Sequence, residues 1–139
     1  MRRFVVGLVF ATALWGVVPI AASGAAKASV AAPDYVTTIG GPGSSPGKLD
    51  APQGVAIDSQ GRVIIANGNG NEISIFNSTG VFLDEFGTTG TGPGQFSAPT
   101  DVAIGPNDEI FVTDFGNNRV QVFSSAGTFL RLFGGAGSG

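Results

Sequence analysis

Pro52-Gln53-Gly54-Val55-Ala56-Ile57 returns 47 positions later as Pro99-Thr100-Asp101-Val102-Ala103-Ile104, and the same offset carries on without a gap. It lays Glu72-Ile73-Ser74-Ile75-Phe76 over Arg119-Val120-Gln121-Val122-Phe123, and residues 81–87 over 128–134. Sixteen of the 47 paired positions between Gly41 and Gly87 are identical, mostly glycines, prolines and apolar residues at strand spacing. What repeats is therefore a folding unit and not a catalytic motif.

Each copy offers four strand-like runs, at 54–58, 62–66, 72–76 and 81–86, then at 101–105, 109–113, 119–123 and 128–133. Between them stand Ser59-Gln60-Gly61, Asn77-Ser78-Thr79-Gly80, Pro106-Asn107-Asp108 and Ser124-Ser125-Ala126-Gly127, residues that accept turn dihedrals. The alternations Ile73-Ser74-Ile75 and Val120-Gln121-Val122 predict strands with one face buried and the other less so. No helical period with caps is present. Short strands at this period read as propeller blades: an all-β fold of four-stranded antiparallel blades, blade 1 at 41–87 and blade 2 at 88–134. Residues 35–40 align with 82–87 and 129–134, which predicts one extra N-terminal strand. Propellers typically hold four to eight blades, so the sequence reads as a partial propeller at 35–139, open at its blade edges to self-association.

Arg2-Arg3, an apolar run from Phe4 to Ile20 and the small residues ending Ala26-Lys27-Ala28 form the three regions of an export signal. Cleavage after Ala28 is expected, with 29–34 as a short tether and a secreted or extracytoplasmic mature chain. An N-terminal membrane anchor is the alternative, and the membrane enters the reading only through this segment. Loss of Arg2, Arg3 and Lys27 takes the net charge from −3 to −6. A mildly acidic chain without basic clusters repels phosphate backbones, which argues against nucleic acid. There is no cysteine, and no histidine to serve as general base or metal ligand. Asp58, Glu72 and Asp84 lack the dense acidic loop of calcium motifs, and Asp108 and Glu109 point to opposite strand faces. No catalytic residue, metal or cofactor is expected. Asn77-Ser78-Thr79 reads as a plain turn.

The Gly- and Pro-rich connections at 40–53 and 87–100 lead into strands, so they read as crossovers between blades and not as phosphate cradles, which need a following helix. The most polar cluster is Asp114, Asn117, Asn118 and Arg119. In it Asn117 and Asn118 are expected to supply turn dihedrals and caps, while Arg119 pairs with Asp114 as a surface ion pair of at most about 1 kcal/mol. Phe76, Phe82, Phe86, Phe123, Phe129 and Phe133 recur at the offset and are expected in core layers between blades.

The second copy, Gly92-Pro93-Gly94-Gln95-Phe96, then Pro99 to Ile104, then Asp114-Phe115-Gly116-Asn117-Asn118-Arg119-Val120-Gln121-Val122-Phe123, resembles the NHL repeat. The first copy departs from the pattern, with Asn67 for the aspartate and Glu72 for the arginine. The resemblance implies a propeller, commonly six-bladed, used mostly for recognition. The function expected is a non-enzymatic binding scaffold for a protein or cell-envelope ligand. Candidate contacts lie on the crossovers at 41–53 and 88–100 and on the loops between second and third strands, at Asn67, Asn69, Asn71, Asp114, Phe115, Asn117, Asn118 and Arg119. The alternatives are a piece of a lyase- or hydrolase-type propeller enzyme, or a purely structural oligomerising module.

Overall fold

The computed structural model describes residues 37–135 and 137. The export signal, the tether and the first two residues of the expected opening strand lie outside the described residues.

Four strands, β1 (Pro52–Ile57), β2 (Val63–Asn67), β3 (Glu72–Phe76) and β4 (Phe82–Phe86), form one antiparallel meander. A two-stranded parallel clip, β5 (Thr88–Thr89) with β6 (Gln95–Phe96), follows. Then β7 (Pro99–Ile104), β8 (Ile110–Asp114), β9 (Arg119–Phe123) and β10 (Phe129–Gly134) repeat the meander. The strands fall within two residues of the expected runs. Pro52 and Pro99 open β1 and β7, where a missing N–H is tolerated, and each ladder shifts register just after its proline.

The core lies between the sheets. Ile64, Ala66, Ile73 and Ile75 of blade 1 face Val102, Ile110, Val112 and Phe123 of blade 2, with Phe96 sealing the end. Phe123 is the hub, its ring 4.7 Å from Phe86, 5.6 Å from Phe96 and 5.9 Å from Phe129. The innermost strands β1 and β7 touch through their backbones. A Cβ on Gly54 would stand 2.4 Å from Asp101 Cα, so only glycine permits this approach. Polar links stitch the opposite end of the junction: Ser59 donates from its N–H and hydroxyl to Asp108, and Arg62 donates to Ser125 O at 2.9 Å.

Two expectations about faces are corrected. Ser74 and Gln121 are fully buried, as are Ile73 and Val122, because each crossover folds back over the face that carries them. The phenylalanines do not all form one kind of layer. Phe86, Phe123 and Phe129 fill the junction, whereas Phe76 and Phe82 meet edge-to-face on the other side of blade 1. Phe133 is 48% exposed, stacked on Phe111 with Arg131 over both rings.

Residues 37–40, the described part of the expected opening strand, are not paired as a strand. They nonetheless hold the corresponding place. Ile39 lies against Gly80 as Phe86 lies against Gly127, each pair related by the 47-residue offset.

Candidate functional site

The antiparallel order brings the loops after β2 and β8 to the same end as the crossovers, and hydrogen bonds weld the two together. In blade 2 the anchor is Asp114, fully buried at the end of β8. Its Oδ1 accepts from Ser97 N–H at 2.8 Å, and its Oδ2 accepts from Asn117 Nδ2, Arg119 Nε and Gln121 Nε2 at 2.8, 2.8 and 3.1 Å. Arg119 then spreads its guanidinium over the crossover, donating to Thr91 O, Gly92 O and Gln95 O at 2.6, 2.8 and 2.7 Å. Gln121 accepts from Gly94 N–H and donates to Gln95 O. Asn117 also donates to Gly90 O at 2.9 Å.

The Asp114–Arg119 pair is thus present but is not the surface pair expected. The side chains are 0% and 8% exposed. The crossover supplies the cover that periodicity along a strand cannot foretell. Asn118 takes the left-handed conformation (φ 53°) and its N–H closes a one-turn 3-10 helix on Phe115 O, while Phe115 itself stands 71% exposed at the tip. Gln121, absent from the candidates, is a full member of the network. Its counterpart in the first copy is serine, so the repeat hid it.

In blade 1 the corresponding residues do part of the same work. Asn67 is buried and accepts from Asp50 N–H at 2.7 Å, as Asp114 accepts from Ser97, and it donates to Glu72 Oε1 at 2.7 Å. Asn69 lies at the surface and bonds Asp50 through backbone and side chain. Asn71 is left-handed (φ 56°), and its Oδ1 accepts from Ala98 N–H at 2.7 Å across the blade junction. Six of the eight candidates, all but Phe115 and Asn118, therefore have side chains hydrogen-bonded within the fold, and Asn69, Phe115 and Asn118 are the exposed ones. Beside them an open depression of about 280 Å³ is lined by Thr91, Asn117, Asn118, Arg119 and Leu132, among others. Among the described residues no group of three or more acidic side chains is gathered as a metal site.

The family model for the NHL repeat matches residues 49–76 and 96–123. These are the crossover ends and first three strands of each sheet, so each sheet carries an NHL repeat. Protein lin-41 of Caenorhabditis elegans is 42% identical over 56 residues, 40% of this chain and 5% of that protein. Among solved structures, a catalytically inactive virginiamycin B lyase from Staphylococcus aureus with quinupristin superposes with a TM-score of 0.53 at 21% identity, over 68% of this chain and 29% of its own. A streptogramin B lyase gives 0.56 at 18% identity, over 73% and 31%. The chain spans about a third or less of each. At these identities the likeness is one of fold.

Proposed function

We propose that this chain is an exported, non-enzymatic recognition scaffold that binds a protein or cell-envelope ligand through its loop face. The observation that carries the reading is the contrast within that face. Asp114, Asn117 and Arg119 are occupied in holding the fold, and what they hold rigid is a tip bearing the exposed Phe115. A large aromatic on a rigid loop is a recognition anchor with little ordering cost. The lack of histidine and cysteine supports binding over turnover, and the leader at 1–28 supports export.

Capture of ligand from an envelope fraction should fall at least severalfold for Phe115→Ala and Asn69→Ala. It should be unchanged for Gln60→Ala and Asn107→Gly in the loops at the opposite end. The reverse pattern would refute the reading, as would turnover that survives repurification in a hydrolase and lyase screen. The mature protein should begin near Ser29 by mass spectrometry.

A further inference from the structure

Blade 2 locks its crossover with a positive charge of its own, the Arg119 guanidinium among Thr91 O, Gly92 O, Gln95 O and Asp114. Blade 1 builds the same crossover. Lys48 N–H donates to Ser45 O at 2.9 Å as Gln95 N–H donates to Gly92 O at 3.1 Å, and Gly43 and Gly47 (φ 144° and 76°) repeat Gly90 and Gly94 (153° and 76°). The carbonyls of this turn therefore converge in both copies.

In blade 1 no guanidinium takes this place, and the crossover's own cation, Lys48, lies with its Nζ beside Gly41 and makes no ion pair among the described residues. Glu72 stands for Arg119, Asn67 for Asp114, Ser74 for Gln121 and Glu85 for Leu132. The ion pairs among the described residues are Arg62–Asp58, Arg119–Asp114 and Arg131–Glu109, which leaves both glutamates without a cation. Glu72 and Ser74 share one face of β3, and Ser74 stands opposite Glu85 in the ladder. The Ser74 hydroxyl is buried on this face with no partner, and Glu85 Oε2 is buried with none, the carboxyl having one backbone donor at Gly47. Serine is also shorter than the glutamine whose amide fills this place in blade 2. Burial, and then the nearby Glu72 and Asp84, push the Glu85 carboxyl above the usual range. A buried acceptor without a donor is costly to keep.

We propose that the blade 1 crossover is a receptor site for a guanidinium group from outside the fold, an arginine side chain of a partner protein. It seats among Glu72, Glu85, Ser74 and the Lys48 carbonyl as Arg119 seats in blade 2. Planar forked donors suit converging carboxylate and carbonyl oxygens better than a compact ammonium does. This deepens the loop-face reading by naming the partner's chemistry, and rests on it only for the source of the group. An all-oxygen set also suits a hard divalent cation, which is the competing outcome.

The probe is agmatine, titrated into the full chain at constant ionic strength and read by melting temperature and calorimetry. Wild type should be stabilised. Glu85→Gln and Glu72→Gln should each weaken agmatine binding roughly tenfold. The pair N67D/E72R, which rebuilds the blade 2 lock, should melt higher without agmatine and no longer respond to it. If that pair does not fold, the two single variants decide alone. No response to agmatine overturns the proposal, as does a response to calcium chloride in its place. Loss of the agmatine response with Phe115 still required for capture sinks this inference alone. An agmatine response with capture indifferent to Phe115 and Asn69 sinks the loop-face reading alone.

Discussion

Asp114 accepts four hydrogen bonds in a position without solvent, and one of its donors is a guanidinium. Removing the cation strands the anion. Arg119→Met should therefore cost about 3–5 kcal/mol in urea unfolding, the range for breaking a buried pair. Asp114→Asn added to it should recover part of the loss. A cost under about 1 kcal/mol would return the pair to the surface class. Glu85 is the opposite case. Its carboxyl is raised in the folded state, by burial first and the charge of Glu72 next. A raised acid supports folding below its unfolded value, and that support is lost as pH rises through the folded value. Glu85→Gln should thus raise the melting temperature at neutral pH, with the gain gone below about pH 4. A gain that persists at low pH would assign it to something other than this charge.

At the level of strands and turns, the repeat made much of the fold legible. Gly and Pro spacing located the turns, and β-branched runs located the strands to within two residues. What it could not convey was how one element covers another. Gln121 reads as the polar side of an alternating strand and is buried because residues 92–95 fold over it. The parallel clip of Thr88–Thr89 on Gln95–Phe96 has no strand-like signature at all, only two residues a side. Of the candidate site, the Asp114–Arg119 pairing and the turn role of Asn118 were readable from residue type. The burial of Asp114 and Asn67 was not. Glycines show the same division. Gly54→Ala should destabilise by about 1–3 kcal/mol, since its Cβ meets the Asp101 backbone, which must move. Gly94→Ala meets nothing within 4 Å and should cost only its left-handed backbone (φ 76°), about 1–2 kcal/mol. Parity in the slope of denaturation and a larger midpoint loss for Gly54 would confirm the difference. Equal losses would mean that the junction opens freely.

Taken whole, the two described sheets cover one face of each other, while the far side of blade 1 is covered only in part, by its crossover, and the far side of blade 2 is more open. Val55 and Ile57 are 62% and 67% exposed, although their counterparts Val102 and Ile104 face the junction. Phe111 and Phe133 occupy the open side of blade 2, where their counterparts Ile64 and Phe86 are packed. Apolar faces of this kind invite association. The chain with these faces open should elute as several associated species, and Ile57→Glu should shift them toward monomer. A monodisperse trimer with a sharp melt would contradict this, because it would require all the faces to be matched.

The polar stitching at the junction of the two sheets has a consequence for ancestry and engineering. Arg62 donates to Ser125 O, but the position that corresponds to Arg62 in the second unit is Glu109, already held by Arg131 at 2.8 Å. Gly54 admits the Asp101 backbone, but Asp101 itself carries the Cβ that such contact excludes. Two copies of the second unit joined in tandem would set a carboxylate against a carbonyl and a side chain against a main chain. The units are alike enough to have arisen by duplication, yet they can no longer trade places: each has become specific to its neighbour, and their order along the chain is itself encoded chemistry.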